Sequence, residues 1–213
     1  MSLHPLAQIG KQPEGAIGAA MAAYMDQINS QVQSRAVAML RRIPCHHLLE
    51  IGFGGGGLAA KLEVTGMVQR YLGVEVSETL VTQFNQIQGK GKGDQWRAIH
   101  ASVEIMPVRS GQFDVAVAMN TIYWWRDPAT ALKEIRRVLR PDGYLIIGMV
   151  PKPIAPPVGF GEPGGPVHYD EDELAEMVRA AGFAPVEIEN ITEKMNINGA
   201  GTRDYVIGLA EVV

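Results

Sequence analysis

The residues best suited to chemistry lie close together along the chain: Glu50, the run Gly52-Phe53-Gly54-Gly55-Gly56-Gly57, and Glu75. Leu48, Leu49 and Ile51 surround Glu50 with the apolar character of a buried strand, and this run passes directly into the glycines. Glycine lets a chain reverse with positive φ and lets a ligand approach the backbone closely. A helix opening on the far side, from about Leu58, would present its first N–H groups to a negatively charged ligand group. Glu75 closes a second apolar run 18 residues beyond Gly57, where a carboxylate can accept both hydroxyls of a ribose. The glycine turn and Glu75 together point to a ligand that contains adenosine.

The pattern Gly52-x-Gly54-x-x-Gly57 fits a dinucleotide as well as S-adenosylmethionine. Other residues separate the two. A short-chain dehydrogenase would carry a Tyr-x-x-x-Lys pair, and none of the six tyrosines has a lysine four places on. A chain of 213 residues leaves no room for the separate catalytic domain of a two-domain dehydrogenase. Glu50 suits a cationic amino group better than a pyrophosphate.

These residues need a frame, and the sequence supplies one. A lead-in over 1–43 reads as a loop and one helix, with Ile28, Val32, Ala36, Met39 and Leu40 at helical spacing and Pro44 as its stop. Short β-rich runs follow near His47–Ile51, Val68–Val76, Trp96–His100, Phe113–Met119, Tyr144–Val150, Phe183–Ile191 and Tyr205–Val212. Helical segments fall between them. Ser77 is placed to cap the one containing Leu80, Val81, Phe84 and Ile87. Asp127-Pro128 opens a second, with Leu132, Ile135, Val138 and Leu139 on one face and Pro141 as its end. Asp170 opens a third that Gly182 terminates. Such alternation predicts an α/β, Rossmann-like doubly wound sheet, mainly parallel and covered on both faces. The segment 151–166 holds six of the thirteen prolines and four glycines, and reads either as a connecting loop or as a lid facing the substrate. All 213 residues form one domain in this reading.

Composition narrows the classes of function. A net charge of −4 without a long basic run argues against nucleic acid as a partner. The clusters Arg41-Arg42, Lys90 with Lys92, and Arg136-Arg137 with Arg140 read as solvated surface. The single cysteine, Cys45, excludes an internal disulfide and reads as a buried structural thiol. No apolar run reaches the ~18–20 residues that span a bilayer, and the alanine-rich run from Ala16 is too weakly apolar for a signal peptide, so a cytoplasmic location is expected. His46 and His47 are adjacent on a strand and face opposite sides, and no Cys-x-x-Cys or His-Glu-x-x-His pattern is present, so no metal site is expected.

Taken in order, the segments resemble the class I S-adenosylmethionine-dependent methyltransferases that act on small molecules. The resemblance covers about Leu48 to Phe183: Leu48–Gly56; Tyr71–Ser77; Glu104-Ile105-Met106-Pro107 leading to Phe113-Asp114-Val115-Ala116; Asn120–Trp125; Ala131–Leu145; and Leu174–Phe183. It implies a seven-stranded sheet whose last strand is antiparallel, preceded by an N-terminal helix, and it implies S-adenosyl-L-methionine as cofactor. It also implies that Glu50, Gly52, Phe53 and Gly54 face the methionine part and that Glu75 holds the ribose. Val76, Val103 and Glu104 would flank the adenine, and Asn120 and Ile122 would border the methionine moiety and the acceptor. Many relatives carry Asp five residues before the proline aligned with Pro107. Here Ser102 stands there, a hydroxyl able to accept the adenine amino group's bond without a charge, with Glu104 as a substitute.

Methyl transfer from a sulfonium is an in-line displacement that needs alignment and exclusion of water, and needs a base only if the acceptor must lose a proton first. The candidates on the acceptor side are His168 as a base and Tyr123, Trp124 and Trp125, which could hold an aromatic acceptor or pack in the core. Tyr24 and Met25 could close over the cofactor from the N-terminal helix. The acceptor expected is a small molecule. The alternatives are a protein that binds S-adenosylmethionine without turnover and a nicotinamide-dependent oxidoreductase.

Overall fold

Strand Phe113–Met119 is buried at every position, which marks a strand covered on both faces and therefore central to its sheet. The computed structural model describes residues 9–88, 91–152, 165–195 and 201–213. Its strands are β1 (His47–Ile51), β2 (Arg70–Glu75), β3 (Trp96–His100), β4 (Phe113–Met119), β5 (Leu139–Met149), β6 (Glu187–Met195) and β7 (Gly201–Glu211). They form one seven-stranded sheet in the order β3-β2-β1-β4-β5-β7-β6. β1 to β5 run parallel, and β7 runs antiparallel to both β5 and β6. The doubly wound fold with an antiparallel final strand is the one expected.

The helices are α1 (Gly15–Ile28), α2 (Ser30–Leu40), α3 (Gly57–Thr65), α4 (Glu78–Gln88), α5 (Pro128–Val138) and α6 (Glu171–Ala180). Leu132, Ile135 and Val138 of α5 and Leu174 and Val178 of α6 are buried in the core on one face. Val32, Ala36 and Leu40 of α2, Leu58 and Leu62 of α3, and Leu80 and Phe84 of α4 fill the other. The caps fall where expected. Asp127 accepts from the Ala129 and Thr130 N–H groups, Ser77 Oγ accepts from the Leu80 N–H, and Asp170 and Glu173 form a reciprocal capping box. Gly182 follows the last turn of α6 with φ +93°.

Several boundaries differ from expectation. The lead-in is two helices broken at Asn29, because Asn29 turns its side chain inward instead of continuing the surface pattern. β5 starts at Leu139, before Pro141-Asp142-Gly143; the register shift between Phe113 and Val115 absorbs those residues, with Asp142 at φ +59°. The helix that Pro141 was expected to end stops at Val138. β6 and β7 form a longer hairpin than their apolar residues suggest. Its outer part is held by cross-strand pairs such as Thr192 with Asp204, which leave no hydrophobic trace. Ile87, expected on the buried face of α4, is 68% exposed. Arg136, Arg137 and Arg140 are half-buried rather than solvated. Arg137 pairs with Glu134, Arg140 with Asp114, and Arg136 donates to the Gly182 carbonyl. Cys45 is buried as expected. Lys90 and most of the 151–166 stretch, 153–164, lie outside the described residues.

At the β3 edge, Asn85 of α4 donates from Nδ2 to the Ala98 carbonyl and accepts from the Ala98 N–H at Oδ1 (3.0 and 2.8 Å). One side-chain amide thus satisfies both backbone groups of a rung on an outer strand.

Candidate functional site

The strand order reverses between β1 and β4, so the connections leaving these neighbours pass to opposite faces and open a crevice at their carboxyl ends. The glycine turn leaves β1 on one side of it, and Asn120 leaves β4 on the other. Gly52, Gly54 and Gly56 all have positive φ (+66°, +56° and +88°), so the turn is built on conformations that cost a side chain strain. At Gly52 a Cβ would also come 2.3 Å from Thr121 Cγ2, which makes the β1 and β4 connections touch.

Glu50 lies in β1 beside the turn and is only 4% exposed. Among the described residues its carboxylate takes one hydrogen bond, from the Tyr71 hydroxyl to Oε2 at 2.7 Å. Tyr71 belongs to a column of rings, Phe53–Phe84–Tyr71–Trp96, with centroids 5.0 to 5.2 Å apart, that walls this side of the sheet. Burial pushes the Glu50 carboxyl up to about 8, although the Tyr71 bond pulls the other way. A buried acid with an uncommitted oxygen is the partner a cationic ligand group requires.

Glu75 ends β2 and is 6% exposed. Its Oε1 accepts from the Val76 and Ser77 N–H groups and its Oε2 from the Gly54 N–H at 3.3 Å. Burial raises its carboxyl above the usual range while these three N–H groups hold it down. The long Gly54 bond ties the ribose-type carboxylate to the glycine turn itself.

The other expected site residues are distributed as follows. Phe53 turns its ring into the core against Gly73, where a Cβ would come 2.6 Å from Phe53 Cδ1; only its backbone belongs to the turn. Val103 and Ile122 are buried in the core, and Val76 is half-buried beside Glu75. Ser102 is exposed and donates to Glu104 Oε2, while Glu104 Oε1 accepts from the Arg126 N–H at 2.8 Å. Asn120 holds the left-handed conformation, φ +56°, which Asn adopts more readily than most residues. It donates to Asn29 and accepts from the Tyr123 hydroxyl, both at 3.0 Å. The Tyr123 and His168 rings meet with centroids 5.0 Å apart, so the two acceptor-side candidates, 45 positions apart in sequence, are brought together. Trp125 is buried, and Trp124 packs under Gly10. Among the described residues no group of three His, Cys, Asp or Glu side chains is arranged to hold a metal ion.

Three residues near this site carried no motif. Asp26 accepts at Oδ2 from the Gly57 N–H (3.1 Å), is oriented by Gln33 Nε2 (3.1 Å), and lies against Gly55. Glu14 accepts from the Glu78 and Thr79 N–H groups at the start of α4. Asn29 accepts from both Asn120 and Tyr205. Tyr24, expected over the cofactor, is 44% exposed; the face of α1 that meets the turn carries Ala22 and Asp26, one helical turn apart. That i, i+4 spacing is the signal sequence reasoning could have used.

Residues 49–147 match the family described as a methyltransferase domain, which spans β1 to β5 and both sides of the crevice. That match and the fold support a class I S-adenosylmethionine-dependent methyltransferase. It is 29% identical over 160 residues to O-methyltransferase cnsE of Penicillium expansum, covering 70% of this chain and 56% of that protein. It is 26% identical over 164 residues to the mitochondrial arginine-hydroxylase NDUFAF5 of Danio rerio, covering 75% of this chain and 44% of the relative. The chain thus spans about half the length of these curated relatives. Its fold is shared with phosphoethanolamine N-methyltransferase 2 of Haemonchus contortus, solved with S-adenosylhomocysteine (TM-score 0.67, 16% identity, 84% of this chain and 52% of that one). S-Adenosylmethionine is the cofactor of this methyltransferase family. The buried, half-satisfied Glu50, the positive-φ glycines and the Glu75 carboxylate fit that molecule's ammonium, close backbone approach and ribose.

Proposed function

We propose that this protein transfers the methyl group of S-adenosylmethionine to a small-molecule acceptor by in-line displacement. The observation that carries the reading is the placement of two buried carboxylates, Glu50 and Glu75, on either side of a positive-φ glycine turn at the point where the sheet reverses its order. In this reading Glu50 takes the cofactor's ammonium, Gly52 to Gly54 admit its methionine part, and Glu75 takes the ribose hydroxyls. Val76, Val103 and the Ser102–Glu104 pair border the adenine. Asn120 and Ile122 stand where the methionine moiety meets the acceptor.

The bound cofactor supplies an already activated methyl group. The chain's own contribution is to align the acceptor and keep water out. On the acceptor side, burial pushes the Tyr123 hydroxyl above its ordinary value, and the same cause holds the His168 imidazole below its own. Tyr123 therefore keeps its proton and orients Asn120, while His168 is neutral at pH 7 and able to accept a proton from an acceptor that must lose one. No helix among the described residues is long and apolar enough to cross a membrane, and the single cysteine suits a reducing compartment, so we place the reaction in the cytoplasm.

The test is thermal unfolding with S-adenosylmethionine, S-adenosylhomocysteine, NADH and NADPH in parallel, followed by a mass-spectrometric screen of acceptors for a gain of one methylene. At about 100 times its Kd a ligand stabilises the native state by about 2.7 kcal/mol, a shift of about 5–10 °C for a chain of this size. The two sulfur ligands should shift the transition, and Glu75→Ala should abolish the shift. A shift with the nicotinamides alone would refute the reading. The screen separates methyl transfer from other uses of the fold, such as the hydroxylation for which one relative is named.

A further inference from the structure

Four arginines among the described residues are half-buried, and three of them have their charge answered. Arg137 pairs with Glu134, Arg140 pairs with Asp114, and Arg136 donates to the Gly182 carbonyl and to Val213. The fourth is Arg203, near the start of β7. Its Nη1 donates to the Tyr205 hydroxyl at 3.4 Å, and its guanidinium carbon lies 6.0 Å from the centre of the Tyr205 ring. Among the described residues no carboxylate pairs with it. Asp204 takes the Thr192 hydroxyl on the other face of the hairpin, since successive strand residues alternate. Glu189, on the Arg203 face, is held by Arg35 and Arg42. A guanidinium carries five N–H donors, and a half-buried one that uses so few of them is a desolvated charge awaiting an acceptor.

The topology sets this charge at the acceptor side of the crevice. β7 runs antiparallel to β5, and Met149 pairs with Val206, so Arg203 lies beyond the carboxyl end of β5. A chain of hydrogen bonds leads inward from it. The Tyr205 hydroxyl donates to Asn29, which also takes the Asn120 amide, and Asn120 accepts from the Tyr123 hydroxyl. Tyr123 in turn meets the His168 ring. Arg203 also acts on Tyr123 through its charge: burial raises that hydroxyl, while the Val150 N–H and the Arg203 charge pull it down. The crevice is therefore polarised. Glu50, Glu75 and Asp26 gather around the glycine turn, and Arg203 stands across from them, beyond Asn120.

We propose that Arg203 binds an anionic group of the methyl acceptor, a carboxylate or a phosphate, and so selects acidic small molecules. The planar guanidinium matches either group with two parallel hydrogen bonds. An anion seated there answers a half-buried charge that the chain leaves open. It also leaves the other end of the molecule free to face Asn120, Tyr123 and His168. A neutral molecule of the same shape would cover the guanidinium without replacing its water, so the site discriminates against uncharged analogues. The inference rests on the methyl-transfer reading above and names its substrate class.

Equilibrium binding to the whole chain loaded with S-adenosylhomocysteine tests it, with benzoate, phenyl phosphate and neutral benzamide as probes. The ring is common to all three, so the anionic group is the variable. At least one anion should bind about tenfold more tightly than benzamide, and the tighter of the two distinguishes carboxylate from phosphate. Arg203→Gln should reduce anion binding to the level of benzamide while leaving S-adenosylhomocysteine affinity as in the wild type. Arg179→Gln, exposed in the last turn of α6, should keep the full preference. If Arg203→Gln does not fold, Arg203→Lys carries the test: it keeps the charge but loses the paired bonds, so the preference should shrink without vanishing. Benzamide binding as well as both anions would overturn the proposal, as would a preference that survives Arg203→Gln or is undiminished in Arg203→Lys. In those cases S-adenosylhomocysteine still binds and the cofactor reading stands. An anion preference that Arg203→Gln abolishes, in a chain that binds no sulfur ligand, keeps the Arg203 site and sinks the cofactor reading.

Discussion

Cofactor binding should release a proton, and Glu50 should be its source. With a carboxyl at about 8 in the empty protein, Glu50 is mostly the neutral acid at pH 7. A bound ammonium favours the ionised form, so binding draws the value down and expels the proton. The sign follows directly: affinity is limited by the fraction already ionised and must rise with pH until about 8. Between pH 6.5 and 7.5 that fraction climbs from about 3% to about 24%, so the association constant should rise about eightfold. Asp26, at about 6, is already largely ionised over this interval and contributes little of the slope. S-Adenosylhomocysteine is the probe, because its amino-acid ammonium keeps its charge across the range. Titration calorimetry at pH 7 in two buffers of different ionisation enthalpy should count about 0.9 proton released per ligand. Glu50→Gln should bind about tenfold more weakly at pH 7.5, release no proton and lose the slope. The same substitution should remove a stability loss. A carboxyl raised on folding stabilises the fold below about 4.5, and that contribution fades as pH climbs to about 8. A wild-type affinity that is flat from pH 6.5 to 7.5, or a Glu50→Gln variant that keeps the slope, would refute the assignment.

Other expectations concern the frame. Gly73→Ala puts a methyl 2.6 Å from the Phe53 ring and should cost about 1–3 kcal/mol, read as a fall in Tm of roughly 3–10 °C, because the ring is wedged between β2 and α4. Asp127→Ala removes the cap of α5 and should cost about 1 kcal/mol by denaturant unfolding. Cys45 is buried with its thiol pushed up to about 12, so the native protein should resist thiol reagents at pH 8 and react only on unfolding. An Asn29→Ala variant should bind S-adenosylhomocysteine more weakly and also lower Tm, since it removes one hydrogen bond each from Tyr205 and Asn120.

The parts legible in the sequence were those with short-range chemistry. Leu48 to Ile51, Phe113 to Met119 and the Asp127-Pro128 and Asp170 caps declare themselves through residue type within a few positions, and the observed elements start or end there. Glu50, the glycines and Glu75 could be grouped because a strand, a tight turn and a following strand leave little freedom in where they fall. Asp26, Glu14 and Asn29 could not be placed, since each acts on a backbone group or amide between 31 and 91 positions away and polar residues on a surface helix look alike in sequence. The Phe53–Gly73 fit was hidden for a related reason: a hydrophobic residue inside a glycine turn reads as a ligand contact until the partner lacking a side chain is seen beneath it. Pro141 read as the end of a helix because a bulge inside a strand uses the same residue types as a helix stop.

The amide of Asn85 has a consequence beyond local hydrogen bonding. An outermost strand normally offers a row of unused donors and acceptors, the template on which a foreign strand can grow. On β3 the rung at Ala98 is already taken from both sides. An arriving strand, whether from a second copy or from a chain still folding, would have to break two bonds in the middle of the edge before it gained a continuous ladder. One side chain on α4 thus works as a stopper against uncontrolled self-assembly, at the opposite end of the sheet from the long β6–β7 hairpin.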